Sequence, residues 1–281
     1  MGTDPAVLVT GAAGQVGQAL RRELPSARFL AHSELDVTVP TAVREAARGV
    51  DVIVHLAALT DVDACERDPK TADAVNSLGT RNVAEAAKET GARVIYVSTN
   101  YVFDGIKAEE YAEEDSPAPL NAYGRSKLAG EAEVRGRGRH LVVRTSWVFG
   151  GERNFVKTIL EAAKRGGDVD VVDDQVGRPT WHRDLAAALA QLAREDMTGV
   201  LHVAGDGEPG SWADLARATI KAAGVTARVR KVDTAAYLQR DGTRAATRPA
   251  NGALSLEKAR REGVTLGDWR TSLIEYVEEL S

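Results

Sequence analysis

Short apolar runs alternate with helical patterns along the first 172 residues of the chain. Strands are predicted at 6–10, 27–31, 51–57, 93–98, 140–144 and 169–172, and helices at 14–23, 40–48, 69–89, 123–135 and 154–164. Strands that alternate with helices form a parallel sheet covered on both faces. Right-handed crossovers then place the carboxyl ends of the strands at one edge, where ligands bind. The pattern predicts an α/β fold with a doubly wound, Rossmann-type parallel sheet.

A glycine-rich loop stands at the junction of the first predicted strand and the first predicted helix. Gly11, Gly14 and Gly17 form a GxxGxxG pattern there. Glycines let the backbone turn tightly and approach a diphosphate, and a helix N-terminus supplies unpaired N–H groups with partial positive charge. At this position in a doubly wound fold, the pattern favours dinucleotide binding over a turn that is glycine-rich by chance.

The order of elements loosens beyond residue 172. Helical patterns at 182–194, 212–223 and 268–279 accompany one further strand at 200–203. We therefore expect residues 1–172 to form the dinucleotide-binding core. Residues 173–281 are expected to form mainly a smaller C-terminal substrate-binding lobe, which is interleaved with the core and not independent of it.

The end of the second predicted strand leaves the choice of dinucleotide open. An acidic residue there would bind the adenosine ribose 2′-hydroxyl and favour NAD. Residues 31–33 read AHS instead, and Glu34 follows a little late. This permits the 2′-phosphate of NADP but provides no arginine to bind it, so the sequence favours NADPH and leaves NADH open. Asp36 and Val37 are candidates to bracket the adenine.

Tyr123 and Lys127 form a YxxxK pattern on a predicted helix. Positions i and i+4 lie on one helix face, so the phenol and the ammonium are expected side by side. The ammonium is expected to lower the pKa of Tyr123 from about 10, which makes the phenol a usable acid and base nearer neutral pH. Thr99 ends the fourth strand at the ligand edge, where its hydroxyl could hold a carbonyl oxygen. A YxxxK pattern is common by chance, so the prediction depends on its combination with Thr99 and the glycine loop.

Composition argues against several partners and compartments. The net charge of −5 gives no reason to expect nucleic acid or an anionic membrane as a partner. Cys65 is the one cysteine, which suits a reducing compartment. No apolar stretch approaches the ~20 residues of a membrane helix, and the early glycine loop leaves no room for a signal peptide. We expect a cytoplasmic protein without membrane contact.

The arginines at 135, 137 and 139 alternate with glycines and have two interpretations. They could form a phosphate-binding patch, or a solvated turn between a helix and a strand. The turn is favoured, because glycine-interrupted charge runs usually lie in exposed connections.

Three motifs are more specific than the glycine loop: STNYVFDG at 98–105, RTSW at 144–147 and DQVGRPT at 174–180. Together with GAAGQVG at 11–17 and PLNAYGRSKLAGE at 119–131, they resemble the extended short-chain dehydrogenase/reductase family. Within it, they are most similar to the dTDP-4-dehydrorhamnose reductases. The resemblance implies NADPH-dependent reduction of the C4 keto group of a dTDP-linked deoxysugar, with dTDP-4-dehydro-L-rhamnose as the first candidate.

The resemblance also implies roles for individual residues. The implied catalytic set is Thr99, Tyr123 and Lys127, with Tyr123 protonating the C4 oxygen. The implied cofactor contacts are Gly11, Gly14, Gln15, Val16, Gly17, Asp36, Val37, Ala58, Leu59, Thr60, Tyr123 and Lys127. The implied substrate contacts are Val62, Thr99, Asn100, Trp147 and Arg178. Trp147 has a core aromatic as its alternative, and Arg178 a surface arginine. No metal site is matched.

Asn100 departs from the family pattern, in which an aspartate is usual at this position. The change removes a negative charge beside the keto sugar, while Thr99, Tyr123 and Lys127 stay intact. It therefore puts the sugar identity or the face of attack in question, and not the chemistry.

Two other functions are compatible with parts of the pattern. The chain also resembles the regulatory β subunit of methionine adenosyltransferase, which binds a dinucleotide without being the catalytic subunit. The intact Tyr123 and Lys127 pair favours an enzyme. A dehydratase would need a carboxylate pair near Thr99, and Asn100 stands there instead. A homodimer through the helices at 69–89 and 123–135 is an analogy with the fold alone.

Overall fold

A six-stranded parallel sheet forms the centre of the fold. The computed structural model describes residues 4–241 and 246–280. The main-sheet strands are β1 (Val7–Thr10), β2 (Arg28–Leu30), β3 (Val52–His55), β4 (Arg93–Thr99), β5 (His140–Thr145) and β10 (Gly199–His202). Their order is β10-β5-β4-β3-β1-β2, and every neighbouring pair is parallel. The chain leaves β1 for β2 and returns to β3 on the other side of β1. The switch point lies between β1 and β3, as in doubly wound folds.

Helices cover both faces of this sheet and build the C-terminal part. The α-helices are α1 (Gln15–Glu23), α2 (Pro40–Ala46), α3 (Val62–Arg67), α4 (Pro69–Asp73), α5 (Thr80–Thr90), α6 (Ala122–Arg135), α7 (Phe155–Lys164), α8 (His182–Arg194), α9 (Trp212–Ala222), α10 (Thr234–Asp241), α11 (Glu257–Arg261) and α12 (Trp269–Glu279). A π-helical turn at Ala74–Gly79 joins α4 to α5, and a 3-10 turn at Asn100–Val102 follows β4. The predicted helix at 69–89 is therefore interrupted by a wider turn. In the described part of the chain, no helix is both long and apolar enough to cross a bilayer.

The central strands are buried on both faces. Successive side chains of a strand point to opposite faces, and β1 shows this directly. Val9 packs in the layer that contains α1 and α8, whereas Leu8 packs with residues of α2 and α5. Each fully buried aliphatic side chain contributes about 1.5–3 kcal/mol through removal of apolar surface from water. This explains why VLVT and VIVH read as continuous apolar runs.

Residues 169–172 form a strand, but the prediction that they add the sixth strand of the main sheet is wrong. β7 (Val169–Val172) pairs with β12 (Val229–Val232) as a separate parallel pair, and β10 takes the sheet edge beside β5. The reason is one-sided burial. Val171 packs with residues of α7 and α9, while Asp170 is partly exposed. Residues after 172 thus supply α8 and β10 to the core.

The remaining short strands join the C-terminal part to the loops of the core. They are β6 (Val148–Phe149), β8 (Val176–Gly177), β9 (Thr180–Trp181) and β11 (Gly210–Ser211). β6 pairs with β9, and β11 pairs with β8. The β6–β9 pair holds the segment after β5 against the start of α8, and the β8–β11 pair holds Val176–Gly177 against the start of α9.

The arginine run at 135–139 forms the exposed connection between α6 and β5. Arg135 pairs with Glu131 at 3.1 Å, Arg137 pairs with Glu133, and Arg139 pairs with Asp196. Each guanidinium already lies against a carboxylate of the same chain, and Arg135 shares Glu131 with Arg144. This geometry supports the interpretation as a turn over that of a phosphate-binding patch.

A buried ion pair attaches α6 to the main sheet. Glu131 accepts hydrogen bonds from Nε and Nη2 of Arg144, on β5, at 2.9 and 2.8 Å. It also accepts one from Ser98 Oγ, on β4, at 2.7 Å. Both charged side chains are only 1% exposed. Because an unpaired buried charge is very costly, this network determines how α6 lies across β4 and β5.

Loss of one charge of this pair should strongly destabilise the protein. Glu131→Gln leaves the Arg144 guanidinium buried without a counter-charge, and we expect a loss of about 3–5 kcal/mol in the free energy of unfolding. The exposed pair of Arg44 and Glu89 provides the control, and Arg44→Gln should cost less than about 1 kcal/mol. Urea unfolding followed by circular dichroism measures both values.

The double variant Glu131→Leu/Arg144→Met removes both charges and should recover most of the stability that Glu131→Gln loses. A double variant that is less stable than the single one would show that charge pairing is not what matters at this position.

Candidate active site

A large cavity lies at the carboxyl edge of the main sheet, over the switch between β1 and β3. Its volume is about 680 Å³, within the range of small-molecule sites. It is lined by the loops after the first four strands, the start of α6, the segment after β5 and Trp212 of α9. All the cofactor residues that the sequence singled out line this cavity, as do Val62, Thr99, Asn100 and Trp147. Residues from separate segments are therefore brought together, and their individual roles stay predictions.

The glycine loop is shaped by close backbone packing. Gly11 has a φ of +68°, and a Cβ there would lie 2.6 Å from the backbone N of Ala57. A Cβ at Gly17 would lie 2.7 Å from Cα of Ala12. Gly14 caps α1, and the first turn of α1 carries no acidic residue. The N-terminus of α1 can therefore present its N–H groups to an anion such as a diphosphate.

Two buried polar atoms of the cavity wall fit a polar ligand. Within the described residues, Gln15 Oε1 and Thr145 Oγ1 have no hydrogen-bond partner, and both residues line the cavity. Buried polar atoms are normally paired, so these two are suited to bind groups of a dinucleotide. The described residues contain no group of three or more His, Cys, Asp or Glu that could hold a metal ion.

The adenosine end of the predicted cofactor site contains one acidic and one basic side chain. Asp36 Oδ1 accepts hydrogen bonds from Thr38 N at 2.9 Å and from Thr38 Oγ1 at 2.7 Å. The Thr38 hydroxyl bond is the largest of the effects that lower the pKa of Asp36. His32 lies just beyond β2 and lines the cavity. Among the described residues that line it, His32 and Lys127 are the basic side chains.

The start of α6 is fixed by two side-chain caps. Asn121 Oδ1 accepts a hydrogen bond from Gly124 N at 2.8 Å, and Glu66 accepts one from Ala122 N at 2.7 Å. Gly124 permits close approach, because a Cβ there would lie 2.1 Å from the carbonyl oxygen of Tyr101. These contacts place Tyr123 beside Thr99, and a side-chain hydrogen bond links the two residues.

Burial controls the protonation of Tyr123 and Lys127. It raises the pKa of Tyr123, and the hydrogen bond with Thr99 opposes this only in part. Burial also lowers the pKa of Lys127 to about 7, while the Glu131 charge opposes that shift. The prediction of a lowered Tyr123 pKa is therefore wrong, because desolvation outweighs the other effects. Tyr123 is a protonated phenol at neutral pH, which suits a proton donor.

Asn76 was not singled out as a functional residue by the sequence, although its side chain shapes the cavity. It lies in the π-helical turn and is fully buried. Its Oδ1 accepts a hydrogen bond from Leu59 N at 2.7 Å, and its Nδ2 donates to Leu59 O and to Ser126 Oγ, both at 3.0 Å. Asn76 thus joins the loop after β3 to α6. The available signal was the pair Val75-Asn76, which matches the same family.

Two tryptophans form one wall of the cavity. The rings of Trp147 and Trp212 stack with centroids 3.7 Å apart and planes 11° apart. Trp147 has a φ of +45°, and a Cβ at Gly177 would lie 2.6 Å from its ring. Trp147 therefore lines the cavity, as the favoured interpretation predicted. Trp212 was missed, because a tryptophan at a helix start in the C-terminal part has no motif around it.

Arg178 does not line the cavity. Its side chain is 4% exposed, and its guanidinium donates to the carbonyl oxygens of Leu254 (2.8 Å) and Gly207 and to the carboxylate of Glu110. The predicted contact with a substrate diphosphate is not supported, because the side chain is buried among these groups and does not line the cavity. The alternative of a surface arginine is also wrong. Arg178 is a buried structural arginine that joins three segments.

Comparisons with known proteins agree with this geometry. The family described as the RmlD substrate binding domain matches residues 5–281. The dTDP-4-dehydrorhamnose reductase of Sinorhizobium fredii is 38% identical over 94% of this chain and 94% of that protein. A probable dTDP-4,6-dihydroxy-2-methyloxan-3-one 4-ketoreductase of Streptomyces antibioticus is also 38% identical, over 95% of this chain and 93% of that protein.

Solved structures agree as well. The crystal structure of a dTDP-4-dehydrorhamnose reductase from Bacillus anthracis in complex with NADP matches with a TM-score of 0.92 at 33% identity. The match covers 99% of this chain and 100% of the crystallised chain. The chain therefore belongs to the RmlD family of NADP-binding oxidoreductases of nucleotide-sugar biosynthesis, the family of the dTDP-4-dehydrorhamnose reductases.

Proposed function

We propose that the protein reduces the C4 keto group of a dTDP-4-dehydro-6-deoxysugar with NADPH as the preferred reductant. The first candidate reaction is dTDP-4-dehydro-L-rhamnose to dTDP-L-rhamnose, with a related deoxysugar as the other outcome. The observation that carries this proposal is the placement of Thr99, Tyr123 and Lys127 in the same cavity as the glycine loop. The relatives support reduction at C4, but their names include more than one sugar product.

Thr99, Tyr123 and Lys127 each have a different role in the proposed reaction. Carbon C4 receives a hydride from the reduced nicotinamide when the cofactor is bound. Tyr123 gives the C4 oxygen its proton. The Thr99 hydroxyl, which donates to Asn100 Oδ1 when no substrate is bound, turns to donate to the C4 oxygen instead. The Lys127 ammonium stabilises the phenolate that remains, because opposite charges favour each other in a site of low dielectric. The product is the alcohol, and the Tyr123 phenolate must regain one proton from solvent before the next turnover.

The cavity wall would orient the two ligands. The N-terminus of α1 would bind the cofactor diphosphate, and Asp36 and Val37 would hold the adenine. The stacked pair of Trp147 and Trp212 would face the nucleotide sugar, since aromatic rings bind flat apolar and sugar surfaces. Leu59, held by Asn76, would border the nicotinamide.

Tyr123→Phe should abolish reduction and leave the cofactor site intact. We expect kcat to fall by about 10²–10⁴-fold, because the proton donor is lost. The assay follows NADPH oxidation by absorbance with enzymatically generated dTDP-4-dehydro-L-rhamnose, and fluorescence titration measures NADPH binding. Tyr237→Phe, at an exposed surface tyrosine, is the control and should be fully active.

Wild-type protein that binds NADPH tightly but oxidises none of it with this sugar would reject the rhamnose assignment. Such a result would favour another keto sugar or the non-catalytic regulatory role.

The reduction rate should depend on the charge of Lys127. Its pKa is lowered to about 7 by burial, so the ammonium is present below that pH and is lost above it. We therefore expect kcat to fall as the pH rises through about 7, since the neutral amine no longer stabilises the Tyr123 phenolate. A kcat profile from about pH 5.5 to 9 tests this. Lys127→Met should be slow and lack this descending limb, and a wild-type profile that stays flat would contradict the role.

His32 should contribute to the preference for NADPH. It lines the cavity just beyond β2, where we propose that the adenosine 2′-phosphate lies, and its ring N–H can donate a hydrogen bond to that group. We expect His32→Ala to weaken NADPH binding by roughly three- to tenfold and to leave NADH binding unchanged. Fluorescence titrations with both cofactors measure this. Equal losses of affinity for NADPH and NADH would show that His32 acts through packing and not through the 2′-phosphate.

A further inference from the structure

Asn100 lies between the cavity and a segment of the C-terminal part. Its side chain is 2% exposed, and it lines the cavity beside Thr99. Behind it runs the segment 246–252, whose residues do not belong to the cavity lining among those described. Asn100 Nδ2 donates a hydrogen bond to the carbonyl oxygen of Gly252 at 3.1 Å. A Cβ at Gly252 would lie 2.2 Å from that nitrogen, so a larger residue at 252 would displace the Asn100 amide.

The orientation of the Asn100 amide follows from its partners. The carbonyl oxygen of Gly252 can only accept, so the NH₂ group must face it. The Asn100 Oδ1 atom then faces Thr99, whose hydroxyl donates to it at 3.4 Å. Thr99 Oγ1 in turn accepts a hydrogen bond from Tyr101 N at 3.1 Å. One amide thus connects the Thr99 hydroxyl to the backbone of the segment 246–252.

The same segment is attached to the rest of the chain at several other places. Residues 250–252 exchange backbone hydrogen bonds with Val176 and Gly105. Asn121 Nδ2 donates to the carbonyl oxygen of Thr247 at 2.8 Å. Arg248 donates to Asp63, on α3, at 2.8 Å, and Asp63 also accepts from Ala246 N at 2.9 Å. The segment is therefore held against the substrate end of the cavity by polar contacts, and Asn100 supplies the contact next to the reacting groups.

We propose that Asn100 is a positioning residue that couples the Thr99 hydroxyl to the segment 246–252 and thereby sets the binding of the sugar nucleotide. The inference deepens the proposed function and rests on it for the identity of the substrate. An aspartate at this position could not make the same contact in its ionised form. Two acceptors, a carboxylate and a carbonyl, would face each other at about the same 3.1 Å separation.

Asn100→Asp tests the coupling through its dependence on pH. The buried acid must keep its proton to donate to Gly252 O, so burial should raise its pKa above the unfolded value of about 3.9. The variant is then closest to wild type at low pH. Its stability relative to wild type should fall as the pH rises towards the folded pKa. The other titratable and charged groups nearby are Tyr101, Tyr123, Lys127, Arg248 and Asp63. Because Lys127 loses its charge in the same pH range, the comparison is repeated in a Lys127→Met background, where the deficit of Asn100→Asp should still grow with pH.

Asn121→Asp is the matched control. It also loses a donor to a carbonyl of the segment, here Thr247 O. However, its carboxylate can still accept from Gly124 N at the N-terminus of α6, which favours the ionised form. Its stability deficit should therefore not grow between about pH 5 and 8, unlike that of Asn100→Asp. Thermal unfolding of the intact chain without substrate measures both deficits.

Kinetics provide the second readout. For Asn100→Asp, we expect KM for the keto sugar nucleotide to rise roughly tenfold at about pH 8 and less at about pH 6, with NADPH binding unchanged. Gly252→Ala displaces the Asn100 amide without adding a charge. It should raise KM to a similar extent at both pH values. If Asn100→Asp does not fold at any pH, Gly252→Ala alone tests the coupling.

The outcomes separate this inference from the proposed function. Wild-type protein without reductase activity would reject the proposed function, while the unfolding measurements would still decide the coupling. An Asn100→Asp deficit that grows with pH, together with a constant deficit for Asn121→Asp, supports the coupling. A deficit independent of pH, or unchanged KM in Gly252→Ala, would overturn it.

Discussion

The buried carboxylate of Glu131 is the contact on which the arrangement of the active site depends. It binds Arg144 of β5 and Ser98 of β4, and its helix carries Lys127 about one turn earlier and Tyr123 about two turns earlier. Ser98 is followed by Thr99, so one carboxylate fixes the helix and the strand that supply the proposed catalytic groups. Few other positions of α6 would satisfy a carboxylate buried this deeply, because only a full set of hydrogen-bond donors offsets its desolvation. The register of α6 on the sheet is therefore determined by electrostatics as well as by packing.

The parallel sheet then determines what else can reach these groups. All its strands end at the same edge, so the glycine loop, the loop after β3 and Thr99 converge without any need for proximity in sequence. The glycines at 11 and 17 bring backbone against backbone there, and Asn76 holds Leu59 from the opposite side. Trp147, Trp212 and Asn100 border the end of the cavity that we propose for the substrate. The proposed cofactor and substrate contacts thus come from different parts of the chain but share one cavity.

Much of this arrangement follows from local patterns in the sequence. The strands at 6–10, 51–57 and 93–98, the glycine loop and the YxxxK helix depend on short-range periodicity and motif spacing, and the structure contains each of them. Features that depend on residues distant in the sequence could not be predicted. The strand at 169–172 pairs with residues 229–232, and Arg178 binds the carbonyl oxygens of Gly207 and Leu254. The direction of the Tyr123 pKa shift depends on how deeply the side chain is buried. The stacking of Trp212 on Trp147 likewise joins residues 65 positions apart, for which no motif exists.

The most direct test of the account is hydride transfer to the sugar within this cavity. The measurement uses NADPH carrying deuterium at the transferable nicotinamide position, with dTDP-4-dehydro-L-rhamnose as acceptor, and locates the label by NMR of the product. The account predicts one deuterium, bound to C4 of the sugar. A product without deuterium at C4, or no product from protein that binds both ligands, would contradict it.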